Sequence, residues 1–366
     1  MALSVGIVGL PNVGKSTLFN ALSDAGAESA NYPFCTIEPN VGVVPVPDPR
    51  QDKIIEVVEP DSVVPTAIEF LDIAGLVKGA SQGEGLGNQF LAHIRMVDAL
   101  CHVVRCFEDD NVVHVDGKVD PAADIEIIDT ELLLRDIQSL EQRRDKARKQ
   151  QRSGDPEEIL AFATCEKVLA EAEKGTPIRA MDLTDDEQGV LTPLALLTNK
   201  PVLFVANVSE AHAAEGDKAP GVAAVIECAN KSGAQVAVIS ASIEAEIAGL
   251  DAADQAEFLE EAGLEERGLH VLIRRAYALL DLVTFFTAGK QEVRAWTVEA
   301  GSKAPQAAGK IHTDFERGFI KAEVSRWEDL VELGSEAALK AKGLLRIEGK
   351  EYVVKDGDVI HFRFNV

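Results

Sequence analysis

Nine consecutive residues, Gly9-Leu10-Pro11-Asn12-Val13-Gly14-Lys15-Ser16-Thr17, fit the phosphate-binding pattern G-x-x-x-x-G-K-[ST]. Each part of the pattern has a physical task. The glycines let successive main-chain N–H groups curl around phosphate oxygens. A helix beginning here adds partial positive charge at its N-terminus. The Lys15 ammonium reaches the β- and γ-phosphates, and the Ser16 hydroxyl is offered to Mg2+. Asn12, Val13, Gly14 and Thr17 complete the phosphate cradle.

A second constellation follows. Asp72-Ile73-Ala74-Gly75 ends the β-rich run Thr66–Ile73, and Asp72 lies 56 residues beyond Ser16. A carboxylate there can hold Mg2+ directly or through water, and the Gly75 N–H can sense the γ-phosphate. Thr36, in Phe34-Cys35-Thr36-Ile37-Glu38, can complete the magnesium shell while the γ-phosphate is present. Loops ordered by a γ-phosphate and released on hydrolysis make a molecular switch. A small-molecule kinase would need neither D-x-x-G nor Thr36.

The base-reading residues depart from the guanine pattern. Asn-Lys-x-Asp after a strand is the guanine reader, its aspartate accepting both hydrogen bonds from the guanine edge. Asn199-Lys200 precedes a strand and has no aspartate three residues after Asn199, so it is a decoy. The run after the strand is Asn207-Val208-Ser209-Glu210. Val208 stands for the lysine and Glu210 for the aspartate. A bidentate bond to guanine is exacting in geometry, and the longer carboxylate sits differently. Guanine preference is weakened, but a carboxylate cannot donate to adenine N1, so these residues alone do not select adenine. Ser240-Ala241-Ser242 takes the place of the second base-contacting loop.

Strands alternating with helices must position these residues. Leu3–Val8 reads as a buried strand running into the Gly-rich turn, and Ser16–Ser23 as a helix. Val41–Val46, Thr66–Ile73, Ala99–Phe107, Pro201–Ala206 and Gln235–Ile239 read as further strands, with helices at Leu86–Val97 and Val222–Lys231. That order predicts an α/β fold with a mostly parallel sheet covered on both faces. Between about 125 and 198 it is interrupted by a helical hairpin, with caps at Asp155-Pro156 and Thr184–Glu187. Nucleotide-binding residues are thus expected over 1–281. After Leu282 the texture changes to a small α+β domain, 282–366, with strands at Glu292–Val298, Gly318–Val324, Glu351–Val354 and Val359–Phe364.

The formal net charge is -25, which disfavours indiscriminate attachment to nucleic acid. Residues 282–366 are neutral, with 13 basic and 13 acidic side chains, so the whole excess lies in 1–281. Within that acidic part, Arg143–Arg152 carries six positive charges and one negative near the hairpin tip. It reads either as a contact for RNA phosphates or as a solvated helix face. No apolar run is long enough to cross a bilayer, and no secretory leader is seen. Five scattered cysteines without a CxxC pair fit reduced thiols in a cytoplasmic protein. A monomer is expected.

Taken together, these motifs resemble the YchF / Obg-like ATPase family. The likeness is carried by Asn207-x-x-Glu210, Gly9–Asn20, Asn31–Gly42, Asp72–Phe90, Ala295-Trp296-Thr297, Ala304–Phe315 and Lys355–Val366. It implies a P-loop NTPase domain of the Ras-like, OBG type with an inserted helical hairpin. It implies a C-terminal TGS domain of ubiquitin-like β-grasp fold. It further implies ATP preferred over GTP, and binding to the ribosome or its large subunit, which favours ribosomal RNA as the partner of Arg143–Arg152. Leu76 occupies the place of the water-orienting glutamine of Ras-like enzymes and can neither donate nor accept a hydrogen bond. Such a hydrophobic replacement is a family feature. The resemblance suggests His114 as a participant in hydrolysis, since an imidazole can position or accept from water near neutral pH. Asn12 resembles P-loop asparagines that recruit K+ beside the phosphates. The Gly-rich run Lys78–Gly87 reads as a second switch segment. A true Obg-type GTPase and a nucleotide-binding scaffold with little turnover are the competing readings.

Overall fold

The computed structural model describes residues 3–27, 40–73, 86–109, 112, 114, 117–151 and 154–365. The strands are β1 Ser4–Val8, β2 Val41–Pro45, β3 Ser62–Val64, β4 Ala67–Asp72, β5 Ala99–Arg105, β6 Val202–Asn207 and β7 Gln235–Ile239. They continue with β8 Leu282–Ala288, β9 Glu292–Glu299, β10 Phe319–Arg326, β11 Arg346–Glu348 and β12 Asp358–Phe364. Of the described residues, those up to 27, 40–44 and 69–279 gather into one compact unit; 45–68 and 280–365 form another.

The first unit is built on a sheet of order β2-β4-β1-β5-β6-β7. The β1–β4, β1–β5, β5–β6 and β6–β7 pairs are parallel. Every residue of β5 and β6 is buried, as expected of strands covered on both faces. β1 lies between β4 and β5, so the loop after it opens where the strand order reverses. In open parallel sheets that is where ligands bind.

The interruption between β5 and β6 is the expected hairpin, formed by helices Pro121–Gln150 and Pro156–Ala172. Asp120 and Asp155 cap them, each followed by proline at the first turn, and Thr184 and Glu187 form a reciprocal capping box. The hairpin has its own core, including Leu140, Cys165, Val168, Leu169 and Ile178. Buried Asp136 fixes its return to the sheet by accepting from Leu197 N, Thr198 N and Thr198 Oγ1 at 2.7–2.8 Å.

The second unit carries a mixed sheet of order β11-β10-β12-β8-β9-β3. β8 and β12 are parallel neighbours flanked by antiparallel β9 and β10. Setting β3 aside, this is the β-grasp arrangement. The sequence reading differs in two places. Residues 45–68, expected within the nucleotide domain, pack here: helix Pro49–Val58 puts Ile54 into a core with Phe286, Val293 and Leu330, and β3 pairs with β9. Glu351–Val354 is no strand and makes one bridge, Val353 to Lys303. Tyr352 instead turns its hydroxyl to Asp358 Oδ2 at 2.7 Å.

Candidate nucleotide site

Each nucleotide- or metal-binding residue expected from the sequence that the structure describes stands at or just after the C-terminal end of a parallel strand. β1 runs into the Gly9–Gly14 loop and helix Lys15–Ala27 begins at once, with Leu18 N donating to Gly14 O at 3.0 Å. Gly14 has φ +96, and a Cβ there would collide with the Asn207 amide; no other residue fits so close an approach. Asn12 is also left-handed, at φ 60, a conformation asparagine tolerates better than most. Ser16 and Thr17 are exposed at the helix start.

Lys15 Nζ donates to Leu10 O at 2.6 Å, so the ammonium is folded over the loop. Burial lowers its pKa to about 8, against the pull of the Asp72 carboxylate in the other direction. Asp72 ends β4, in register with Ile7 of β1. Burial pushes its carboxyl up, and Lys15 opposes that shift. An ammonium and a carboxylate both driven toward neutrality is what a charged ligand would relieve. The Asp72 carboxylate and Ser16 hydroxyl fit Mg2+, which takes few protein ligands and completes its shell with phosphate oxygens and water. Thr36 and Gly75 lie outside the described residues, as do Leu76 and all of 78–85.

Asn207 is the hub. It is buried at the end of β6; its Nδ2 donates to Val13 O at 2.9 Å and its Oδ1 accepts from Ala241 N at 2.9 Å. One amide thereby ties the phosphate loop to the loop after β7. Val208 is buried, with its N–H on Ile239 O at 2.8 Å. Glu210 is exposed and opens the 3-10 turn Glu210–Lys218. Ser240 and Ser242 share a hydroxyl contact at 3.0 Å beside Ala241. The decoy pair is elsewhere: Lys200 Nζ caps the end of helix Leu86–Met96 through Val97 O at 2.6 Å.

These loops enclose a cavity of about 470 Å3, lined among others by Gly14, Phe107, Val112, Val208, Glu210 and Ala241. That volume suits a small-molecule ligand. The sequence reading missed the wall made by Phe107, Glu108, Asp109 and Val112. Its signal was its place directly after a central parallel strand.

His114 does not line this cavity. It is buried, with Nε2 at 3.1 Å from Asp124 Oδ2 on the first turn of helix Pro121–Gln150. The basic run is partly neutralised: Arg143 forms a two-pronged pair with Glu158, Arg144 reaches Glu166, and Arg148 reaches Asp145. Lys146 and Lys149 carry no ion pair among the described residues, and Arg152 lies outside them.

Residues 4–140 match the family described as 50S ribosome-binding GTPase. Residues 282–365 match the C-terminal family of YchF GTPases, described as a protein of unknown function (DUF933). The ribosome-binding ATPase YchF of Bacillus subtilis is 56% identical, and that of Escherichia coli O157:H7 53%, each over 100% of both chains. The solved YchF GTPase of Schizosaccharomyces pombe superposes with a TM-score of 0.89 at 39% identity, over 99% of this chain and 97% of that one. A GTP-binding protein of Pyrococcus horikoshii shares the fold, with a TM-score of 0.61 at 21% identity over 99% and 100% of the chains.

Proposed function

The chain belongs to the YchF family, and from that premise we propose that it is a Mg2+-dependent ATP hydrolase that works as a switch on the ribosome, with the large subunit as docking partner. The observation that carries the reading is the clasp of Asn207, which holds Val13 of the phosphate loop at 2.9 Å and lines one cavity with Gly14 and Ala241, while Lys15 of the same loop feels the Asp72 carboxylate. Lys15 would leave Leu10 O for the β- and γ-phosphates, and loop amides around Val13 and Gly14 would take phosphate oxygens. Ser16 and Asp72, with Thr36, would hold Mg2+, and Gly75 would meet the γ-phosphate. The metal, when bound, offsets charge on the phosphates as the terminal bond breaks. K+ beside Asn12 would add to that effect.

ATP preference over GTP is supported by Val208 and Glu210. A buried valine cannot lie over the base as a lysine does, and Glu210 starts a turn where guanine needs a fixed carboxylate. The C-terminal β-grasp unit is taken as a TGS domain. Among the described residues of the basic run, Lys146 and Lys149 are the cations without an ion pair and would meet ribosomal RNA phosphates. All helices among the described residues are too short or too polar to cross a membrane.

The test is calorimetry with MgATP and MgGTP, followed by turnover with and without large subunits, in K+ and in Na+. ATP should bind more tightly, and subunits should speed turnover. Equal affinities would return the Obg-type GTPase, binding without repeated turnover would return the scaffold, and equal rates in K+ and Na+ would remove the K+ role. In the same series, Lys146→Glu with Lys149→Glu should weaken co-sedimentation and lower its salt slope by about 2 if each meets a phosphate. An unchanged slope would remove the RNA contact.

Participation of His114 requires the imidazole to reach water from its buried pair with Asp124. His114→Ala should leave ATP affinity intact and slow single-turnover hydrolysis by about 10²-fold. Unaltered single-turnover rates would rule the residue out.

A further inference from the structure

Arg105 is the last residue of β5, and its side chain is 2% exposed. Burying a guanidinium is costly unless its donors are used. Here the fork turns onto the segment that follows its own strand. Nε donates to Phe107 O at 3.1 Å, Nη1 to Val112 O at 2.9 Å, and Nη2 reaches Asp109 O at 3.4 Å. The guanidinium carbon stands 4.5 Å from the centroid of the Phe107 ring. One cation therefore gathers three carbonyls of a single loop and one aromatic face.

Phe107, Asp109 and Val112 line the cavity, while Arg105 stands behind them. Across the sheet its register partner is Asn207, and Cys106 N donates to Asn207 O at 2.8 Å. The cavity is thus braced from two neighbouring strand ends. Asn207 holds the phosphate loop and the Ala241 loop; Arg105 holds the remaining wall. The first brace hydrogen-bonds the phosphate loop at Val13, whereas the bonds of the second all go to Phe107, Asp109 and Val112.

Resting on the nucleotide-hydrolase reading, we propose that Arg105 is a positioning residue for nucleoside recognition: it shapes the wall at Phe107, Asp109 and Val112 that receives the base and ribose, and leaves triphosphate binding to the loop Gly9–Thr17. Arginine suits the task because its planar fork offers several fixed donors, whereas a lysine offers one point charge.

Wild type and Arg105→Met are titrated with MgATP and with magnesium tripolyphosphate, which has no base or ribose. ATP affinity should fall about 10- to 100-fold, the worth of one or two lost charged hydrogen bonds, while tripolyphosphate affinity stays as in wild type. Arg105→Lys should recover part of the loss. A purely structural role would weaken both ligands together, so parallel losses, or no loss, overturn the proposal. Hydrogen exchange on the wild-type chain tests it without a substitution. Amides of Phe107, Asp109 and Val112 should gain protection with MgATP and not with tripolyphosphate; equal protection by both, or by neither, overturns it. A wild-type chain that binds neither ligand sinks the nucleotide reading and this role with it. A variant that matches an ATP-binding wild type sinks the role of Arg105 alone.

Discussion

Lys15→Ala should weaken MgATP binding by about 30-fold to several-thousand-fold, the 2–5 kcal/mol that accompanies loss of one partner from a buried charge pair. Calorimetry at neutral pH reads it directly. The magnitude follows from the setting: Lys15 is already largely removed from water, so it meets the phosphates with little further desolvation. The same burial gives a pH signature. In the free chain the ammonium titrates near 8, lowered from 10.5. Beside phosphates the charged form is favoured, so binding above pH 8 must take up a proton. Wild-type affinity should be level below pH 8 and decline above it, by at most about tenfold per pH unit. Lys15→Ala should lose that decline, and an identical slope in the variant would assign it to another group. The sign for folding is opposite to that of a stabilising pair. A lysine whose folded pKa is lowered burdens the native state below pH 8, and the burden fades between 8 and 10.5. Lys15→Ala should therefore not lower the melting temperature of the free chain at neutral pH.

Asn207→Ala should destabilise the nucleotide unit by about 2–4 kcal/mol, since it strands two buried main-chain groups, Val13 O and Ala241 N. Asn207→Asp should be worse. It keeps an acceptor for Ala241 N but points a carboxylate oxygen at the Val13 carbonyl. Denaturant midpoints should rank wild type above alanine and alanine above aspartate, with ATP affinity falling in the same order. If aspartate is tolerated better than alanine, the clasp on Val13 is not what holds the phosphate loop.

The parts of this architecture that obey local rules were legible in the chain. Gly9, Gly14 and Lys15 announce their loop because only certain backbone angles and one long cation make that cradle. Asp155-Pro156 and Thr184–Glu187 announce helix starts because caps act within four residues. Asn199-Lys200 was separable from Asn207 by its place before a strand, and its lysine indeed serves a helix end. What was missed depends on partners distant in sequence. Helix Pro49–Val58 has a readable start in Asp48-Pro49, but nothing local says that Ile54 packs with Phe286 and Leu330. β3 has three residues and exists by pairing with β9. The guanidinium of Arg105 gave no sign that it would face inward, because a lone arginine at a strand end is as compatible with solvent. Glu351–Val354 alternates like a strand, yet Tyr352 finds Asp358 instead of a ladder.

The discontinuous membership of the second unit has a consequence for birth of the chain. Ile54 and its helix leave the exit tunnel first, while Phe286, Val293 and Leu330, which will cover it, are encoded more than two hundred residues later. At about 5–20 residues per second, that apolar stripe waits roughly 12–55 s for its cover. Maturation of the β-grasp unit therefore waits until synthesis has passed Leu330.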